Sequence, residues 1–498
     1  MNPSNMKKYV SIFLAFSMIF ALSGCRAKEG QQAYVPPKKV VLTYYKMNDS
    51  IDVMKPFFDE FKALPGNQLV EINYVQFTDL KKYEDRILNE LAEGGGPDIF
   101  SMPNTWITKH QKKINPMSPT IMTIETFKNT FVYVAEKDLI RPFTDAAGVK
   151  TLQIYGLPMF VDSLAVYYNK AHFLDKIPER GKPAVTWSGL LQDVAKLTKS
   201  NNSAERFEVS GAALGRADNI NNAIEILYAL MLQYETKFYN ENYTASTIAT
   251  QQGMDADNNP KAPGLSALNL YVSFADSTKA NYSWNQYIAQ SVGFDKEIDA
   301  FARGKVSMIF GFSDYYQKIS DKIKELKGKN QLVMDPAFVQ IGQLPQVEDP
   351  ALSTKKPTTL ASYYAETVSR NSKYPKESWN LIQFLITKKN LQAYNSKTHK
   401  PTSRLDLIPE QKADAVYAAF AYQTGVADSV LVLDYDYYKN AIASSIQAVV
   451  GGARLDISLK SAEAAITSIL PEKGLTPPGP YVLKNQPNQQ KPAITPAK

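Results

Sequence analysis

What most restricts the fold of this chain is the order of its hydrophobic patterns once the first few dozen residues are passed. Val40 to Tyr45 reads as a strand, Ile51 to Leu64 as an amphipathic helix, Val70 to Phe77 as a second strand and Leu80 to Ala92 as a second helix. Strands that alternate with helices in this way build a parallel, layered α/β sheet. Later stretches are more helical. Ala223, Leu227, Leu230, Met231 and Tyr234 mark one helix face, Trp379, Ile382 and Ile386 a second, and Tyr438, Ile442, Ile446 and Val449 a third. Strand-like runs return at Lys305 to Phe310 and Leu360 to Val368. A chain of 498 residues exceeds one small core. Two α/β regions joined by crossing strands are the simplest arrangement of these segments.

The N-terminal segment stands apart from the fold. Lys7 and Lys8 precede an apolar run from Tyr9 to Leu22, shorter than the roughly 20 residues a membrane-spanning helix needs, which reads as an export signal. Its end, Leu22-Ser23-Gly24-Cys25, resembles the bacterial lipoprotein box. That resemblance implies a signal peptide over residues 1–24, a lipidated Cys25 and a polar tether over 25–39 containing Pro36 and Pro37. More than one acyl chain gives durable attachment to a membrane. The tail from Pro471 to Lys498 is rich in Pro, Gln, Asn and Lys and is expected to be disordered.

Composition narrows the chemistry. Cys25 is the single cysteine, and the three histidines, His110, His172 and His399, lie far apart. A disulfide framework, a cysteine-rich zinc site and most histidine-based metal or triad chemistry are excluded, and no cofactor or metal is expected. The net charge of +7 is mild and includes Lys7 and Lys8. Basic residues are dispersed among acids, so nucleic acid is not an expected partner. Gly94 to Gly96 lacks the Gly-Lys-Ser/Thr of a phosphate-binding loop and reads as a turn.

Several motifs then occur in a telling order. Gly94-Gly95-Gly96-Pro97-Asp98-Ile99-Phe100, the run YGLPMFVDSLAVYYNK over 155–170, TWSGLLQDVAKLT over 186–198, FARGKVSMIFG over 301–311, the Trp379 to Leu385 helix and the Pro401 to Arg404 loop follow one another along the chain. In sequence and spacing they resemble the bacterial extracellular solute-binding proteins of family 1, the maltose-binding-like receptors of ABC importers. The resemblance covers roughly Val40 to Leu470 and implies a two-lobed clamshell. The first lobe would comprise 40–158 plus 368–405, and the second 165–358 plus 408–470. Strands near Met159 to Leu164 and Leu360 to Glu366 would be the hinges.

By position, the resemblance carries ligand contacts onto Trp106, in the loop after the Asp98-Ile99-Phe100 strand, Asp162 in the crossing segment, and Tyr438 near the start of a late helix with Tyr435 and Tyr437 beside it. The segment GFSDYY over 311–316 departs from the family's pattern: Asp314 stands where a stacking tryptophan is frequent, with Tyr315 and Tyr316 next to it. This departure leaves room for a cationic or strongly hydrogen-bonding ligand. Trp284, in a polar NYSWNQ stretch, is a further candidate. Of Tyr363 and Tyr364 on the return strand, alternation predicts that one faces the cleft. Each candidate has a packing alternative: core for Trp106, hinge carboxylate for Asp162, loop anchor for Trp284, helix face for Tyr438. Trp187 and Trp379 fall on helical patterns and read as core.

Three functions follow. The first is a monomeric, lipid-anchored receptor on the extracytoplasmic face of a bacterial membrane, which delivers a sugar or oligosaccharide to ABC permease subunits and catalyses nothing. The second is an envelope carbohydrate-active hydrolase using two carboxylates, for which the chain shows no catalytic motif. The third is a binding fold reused as a sensor or scaffold.

Overall fold

The computed structural model describes residues 39–201, 207–255, 257–288 and 296–477. The expected signal peptide, Cys25, the tether up to residue 38 and the tail from residue 478 lie outside the described residues. Among those described, no helix is long and apolar enough to cross a membrane.

The first sheet has five strands. Val40–Met47 sits between Val70–Phe77 and Ile99–Pro103, parallel to both. Beyond these, the return strand Tyr364–Val368 runs antiparallel to Ile99–Pro103 and pairs with Leu157–Pro158. The sheet is therefore mixed, where the alternation of strands and helices predicts a parallel one; the added strand arrives from far along the chain and local pattern cannot reveal it. Side chains from Tyr44 to Met47 are all buried, because both faces are covered, as a parallel sheet requires. Phe58, Trp379, Leu391 and Tyr394 cover one face; Tyr83, Ile87, Trp106 and Ile114 cover the other.

A buried ionic network ties the first strand to the return strand. Lys46 donates to Glu366, which also accepts from Tyr44 and Ser101, both at 2.7 Å. Asp49, 3.5 Å from the Lys46 amine, accepts from Tyr394 and Lys400, each at 2.7 Å. Burial alone would depress the Lys46 pKa, but Glu366 and Asp49 outweigh it and hold the amine above its ordinary value.

The second lobe is built around the buried strand Ala165–Asn169, antiparallel to Met308–Gly311 on one side and Val339–Gly342 on the other. Trp187 stacks on Phe310 at 5.7 Å. Its helix Trp187–Leu197 begins where the Thr186 side chain accepts from the Gly189 amide, a cap legible in the sequence. Gly311 ends its strand where a Cβ would come within 2.2 Å of the Tyr315 ring; only glycine lets the chain turn so closely into the helix Tyr315–Gly328.

Three short segments lie side by side where the lobes meet. Thr359–Ser362 is central, antiparallel to Asp162–Ser163 and parallel to Ala427–Asp428. The start of the expected disordered tail is packed: Leu475 is buried and its amide donates to Tyr243 O at 3.1 Å. Thr476 O accepts from Arg141 Nη2 at 2.8 Å. Sequence composition misses this because the anchoring groups come from distant parts of the chain, the loop at Tyr243 and the strand Ile140–Thr144.

Candidate functional site

The parallel strands of the first sheet end at the junction of the lobes, where α/β sheets tend to place their ligand crevices. Ile99–Pro103 runs into a turn that presents Asn104, Thr105 and Trp106. Trp106 stacks on Tyr83 at 6.1 Å and meets His110 edge-on at 5.5 Å. From the other lobe comes the helix Tyr435–Val450, capped by Asp434, whose side chain accepts from the Tyr437 amide. Between these walls lies a cavity of about 460 Å³, lined by Trp106, Tyr363 and Tyr364 on one side and by Tyr228, Phe312 and Tyr435 on the other.

Charged groups frame it. Lys109 lies 3.1 Å from Glu84 and 2.9 Å from Asp434, so an ion pair joins the two lobes across the cavity. Glu84 also meets His110 Nε2 at 2.8 Å, while burial, with Lys113 and Lys109 adding to it, keeps His110 below its ordinary pKa. Deeper, the Tyr363 hydroxyl donates to Asp138 at 2.8 Å and Ser429 Oγ donates to the same carboxylate at 2.6 Å. Burial raises the Asp138 pKa despite Lys137 and these donors. Lys137 itself reaches Asp428 at 2.6 Å and Ser429 O at 2.7 Å.

Two sequence candidates, Trp106 and Tyr363, line this cavity. Tyr363 and Tyr364 both do so, against the expected alternation, because the strand is broken: it stops at Ser362 and restarts at Tyr364. At the break, Tyr363 O accepts from the Asn104 amide at 3.0 Å. Burial raises Tyr364 to about 12, so its hydroxyl remains a donor.

The other candidates lie elsewhere. Asp162 sits in the crossing segment, buried, accepting from Ser313 N at 2.9 Å, Ser313 Oγ at 2.5 Å and Ser163 N at 2.8 Å. Trp284 is wholly buried in the second core, where its Nε1 donates to Asn219 at 2.9 Å; it anchors a loop. Asp314 points to solvent and pairs with Lys318 at 2.7 Å, one helical turn away. Tyr315 is buried against Tyr167 and donates to Glu297 at 2.7 Å. Tyr438 faces the core and shares a 2.9 Å hydrogen bond with Tyr239. One turn earlier on the same helix, Tyr435 reaches the cavity instead.

Sequence reasoning missed Glu225 and Tyr228 on the helix Ala223–Gln233, and Lys109, all of which line the cavity. A usable signal existed: Glu225 is the single charged residue in the otherwise apolar AIEILYALMLQ. Among the described residues, no group of three His, Cys, Asp or Glu side chains is placed to hold a metal ion.

A comparison with curated proteins gives no match. Solved structures do match over nearly their whole length. The sugar-binding protein MalE from the phytopathogen Xanthomonas citri aligns at a TM-score of 0.66 and 15% identity, covering 86% of this chain and 97% of that one. A cyclo/maltodextrin-binding protein complexed with maltotetraose aligns at 0.62 and 20%, covering 87% and 98%. An ABC transporter solute-binding protein from Thermotoga lettingae, bound with alpha-D-tagatose, aligns at 0.61 and 18%, covering 86% and 99%. At these identities the likeness is one of fold, a two-lobed α/β architecture. Family membership rests on the sequence itself, which matches the bacterial extracellular solute-binding protein family across residues 57–449. That span takes in both walls of the cavity and the segments between them, and the chain belongs to this family.

Proposed function

We propose that this protein is the extracytoplasmic, lipid-anchored receptor of an ABC importer, and that it takes a sugar or oligosaccharide between its lobes and presents it to permease subunits. The observation that carries this reading is the cavity of about 460 Å³ between the lobes, with aromatic side chains on both walls. Sugar rings offer apolar C–H faces beside rows of hydroxyls. Flat aromatic rings with neighbouring amide, carboxylate and ammonium groups suit that pattern, and Trp106, Tyr364 and Tyr435 with Asn104, Glu84 and Lys109 provide both.

The lobes, 40–158 plus 368–405 and 165–358 plus 408–470, move about the segments Asp162–Ser163 and Thr359–Ser362, beside which Ala427–Asp428 is paired. A ligand touching both walls favours the closed arrangement over the open one by its differential affinity, and the permease reads that population. Structural relatives bound with alpha-D-tagatose and with maltotetraose support the ligand class. The Leu22 to Cys25 box supports the anchor.

Calorimetry and thermal shift across mono- and oligosaccharides test the reading. At least one saccharide is expected to raise the melting temperature, since a ligand that binds only the folded state must do so. If no saccharide binds, the ligand class is wrong. Release of product detected by mass spectrometry would put the hydrolase first. The anchor is tested separately: Cys25→Ser is expected to abolish labelling by a fatty-acid analogue, and an unlabelled wild type overturns it.

A further inference from the structure

The last described stretch of the chain crosses from one lobe to the other. It leaves the helix Leu455–Ser468, whose Leu459, Ala462 and Ile466 belong to the second core, and turns where the Gly474 amide donates to Pro471 O at 2.8 Å. Gly474 has a φ of +75°, and a Cβ there would stand 2.0 Å from Asn242 O. The backbone therefore lies directly on the loop at Asn242 and Tyr243, which follows Tyr239, itself packed against the second core. Leu475, 5% exposed, completes the seat by donating its amide to Tyr243 O at 3.1 Å. One residue later the contact changes lobe. Thr476 O accepts from Arg141 Nη2 at 2.8 Å, and Arg141 stands on the strand Ile140–Thr144, whose Ile140 is part of the first core.

Arg141 is wholly buried. Its bond to Gln111 Oε1 is long, at 3.5 Å, and Nη1 has no partner among the described residues. A guanidinium cannot shed its charge on burial, so its hydrogen bond to the Thr476 carbonyl is charge-assisted and little screened by salt. The geometry leaves no slack. From Leu475 N to Thr476 O the chain spans two residues, about 7 Å at full stretch, so the Tyr243 loop and Arg141 cannot move apart by more than a few ångströms unless one attachment breaks. The end at Gly474 and Leu475 is held by close fit, burial and a backbone hydrogen bond; the end at Arg141 rests on one hydrogen bond.

We propose that Pro471 to Thr476 form a strap that clasps the two lobes, with the Thr476–Arg141 bond as its releasable end, so that the lobes part at this edge only when the strap lets go of Arg141. The clasp does not depend on which solute binds. It sets how much of the population is open to receive one.

Distances between spin labels on the full chain in detergent, with Cys25→Ser removing the native thiol, test this without any ligand. One pair, Asp85→Cys with Ser444→Cys, spans the lobes; a second, Asp85→Cys with Lys376→Cys, lies within the first; all three positions are exposed. Gly474→Val removes the seated end and Arg141→Met the releasable one. Each is expected to broaden the distance distribution of the spanning pair and lengthen its mean by at least about 3 Å, on the scale of a domain rearrangement, while the pair within the first lobe stays unchanged. Gly474→Val carries the test if Arg141→Met does not fold. A spanning distance left unchanged in either folded variant overturns the clasp. Equal broadening of both pairs overturns it too, since the substitutions would then loosen the first lobe and release no strap.

Discussion

Asp162 is held by three donors at the crossing of the lobes and yet resists ionisation. Burial pushes its pKa up to about 7, the Ser313 hydroxyl opposes the rise, and Asp314 adds to it. An unfolded aspartate titrates near pH 4, so between about pH 4 and 7 the folded state keeps a proton that the unfolded state has lost. Stability therefore falls as pH rises through that window. Relative to wild type, Asp162→Asn is expected to gain on the order of a few kcal/mol between pH 4.5 and 7.5 in urea melts; a difference independent of pH refutes the assignment. The tryptophans divide along another line. Trp284→Ala is expected to cost about 3 to 5 kcal/mol of stability with affinity unchanged in the folded fraction. Trp106→Ala is expected to weaken saccharide binding by on the order of 1 kcal/mol or more, read by calorimetry; equal affinities in the two variants would remove Trp106 from the site. At this scale the sequence was a partial guide. Residue type picked out Trp106 and Tyr363, which line the cavity, whereas Trp284 and Tyr438 share the same chemistry but are turned inward by packing that no local pattern encodes.

Among the elements, the return strand matters most, because it joins the first sheet and the lobe junction within a few residues. Glu366 on that strand faces Lys46 on the first, both nearly inaccessible. Glu366→Ala would leave a buried ammonium without its main partner and is expected to cost about 3 to 5 kcal/mol in denaturant unfolding. Combining Glu366→Leu with Lys46→Met is expected to recover most of that loss, since two apolar groups of similar size remove the charge and its desolvation together. If the double variant is no better than the single, the penalty comes from shape or from the Tyr44, Ser101 and Asp49 groups left without these partners, and not from the unpaired Lys46 charge. The elements themselves were largely readable: Val70–Phe77 and Leu80–Ala92 fall where the hydrophobic period places them. The break at Tyr363 was not, because its cause lies in Asn104 and Asp138, which approach from other parts of the chain.

At the scale of the whole molecule, two cores and a cavity between them lead to a test by shape. A saccharide that binds is expected to shrink the radius of gyration in small-angle scattering without any turnover; binding with no change in shape would mean that the lobes do not close on the ligand. The family resemblance made this architecture legible from ordered motifs, and it did so where composition alone stopped at two α/β regions. The three crossing segments, Asp162–Ser163, Thr359–Ser362 and Ala427–Asp428, are hydrogen-bonded into one narrow ribbon. Such a ribbon bends and twists readily but resists sliding, because sliding would break its ladder of hydrogen bonds. On the proposed closure, the two walls would return to the same register each time, and groups as far apart in the chain as Trp106 and Tyr435 would act on one ligand as though they belonged to a single rigid surface.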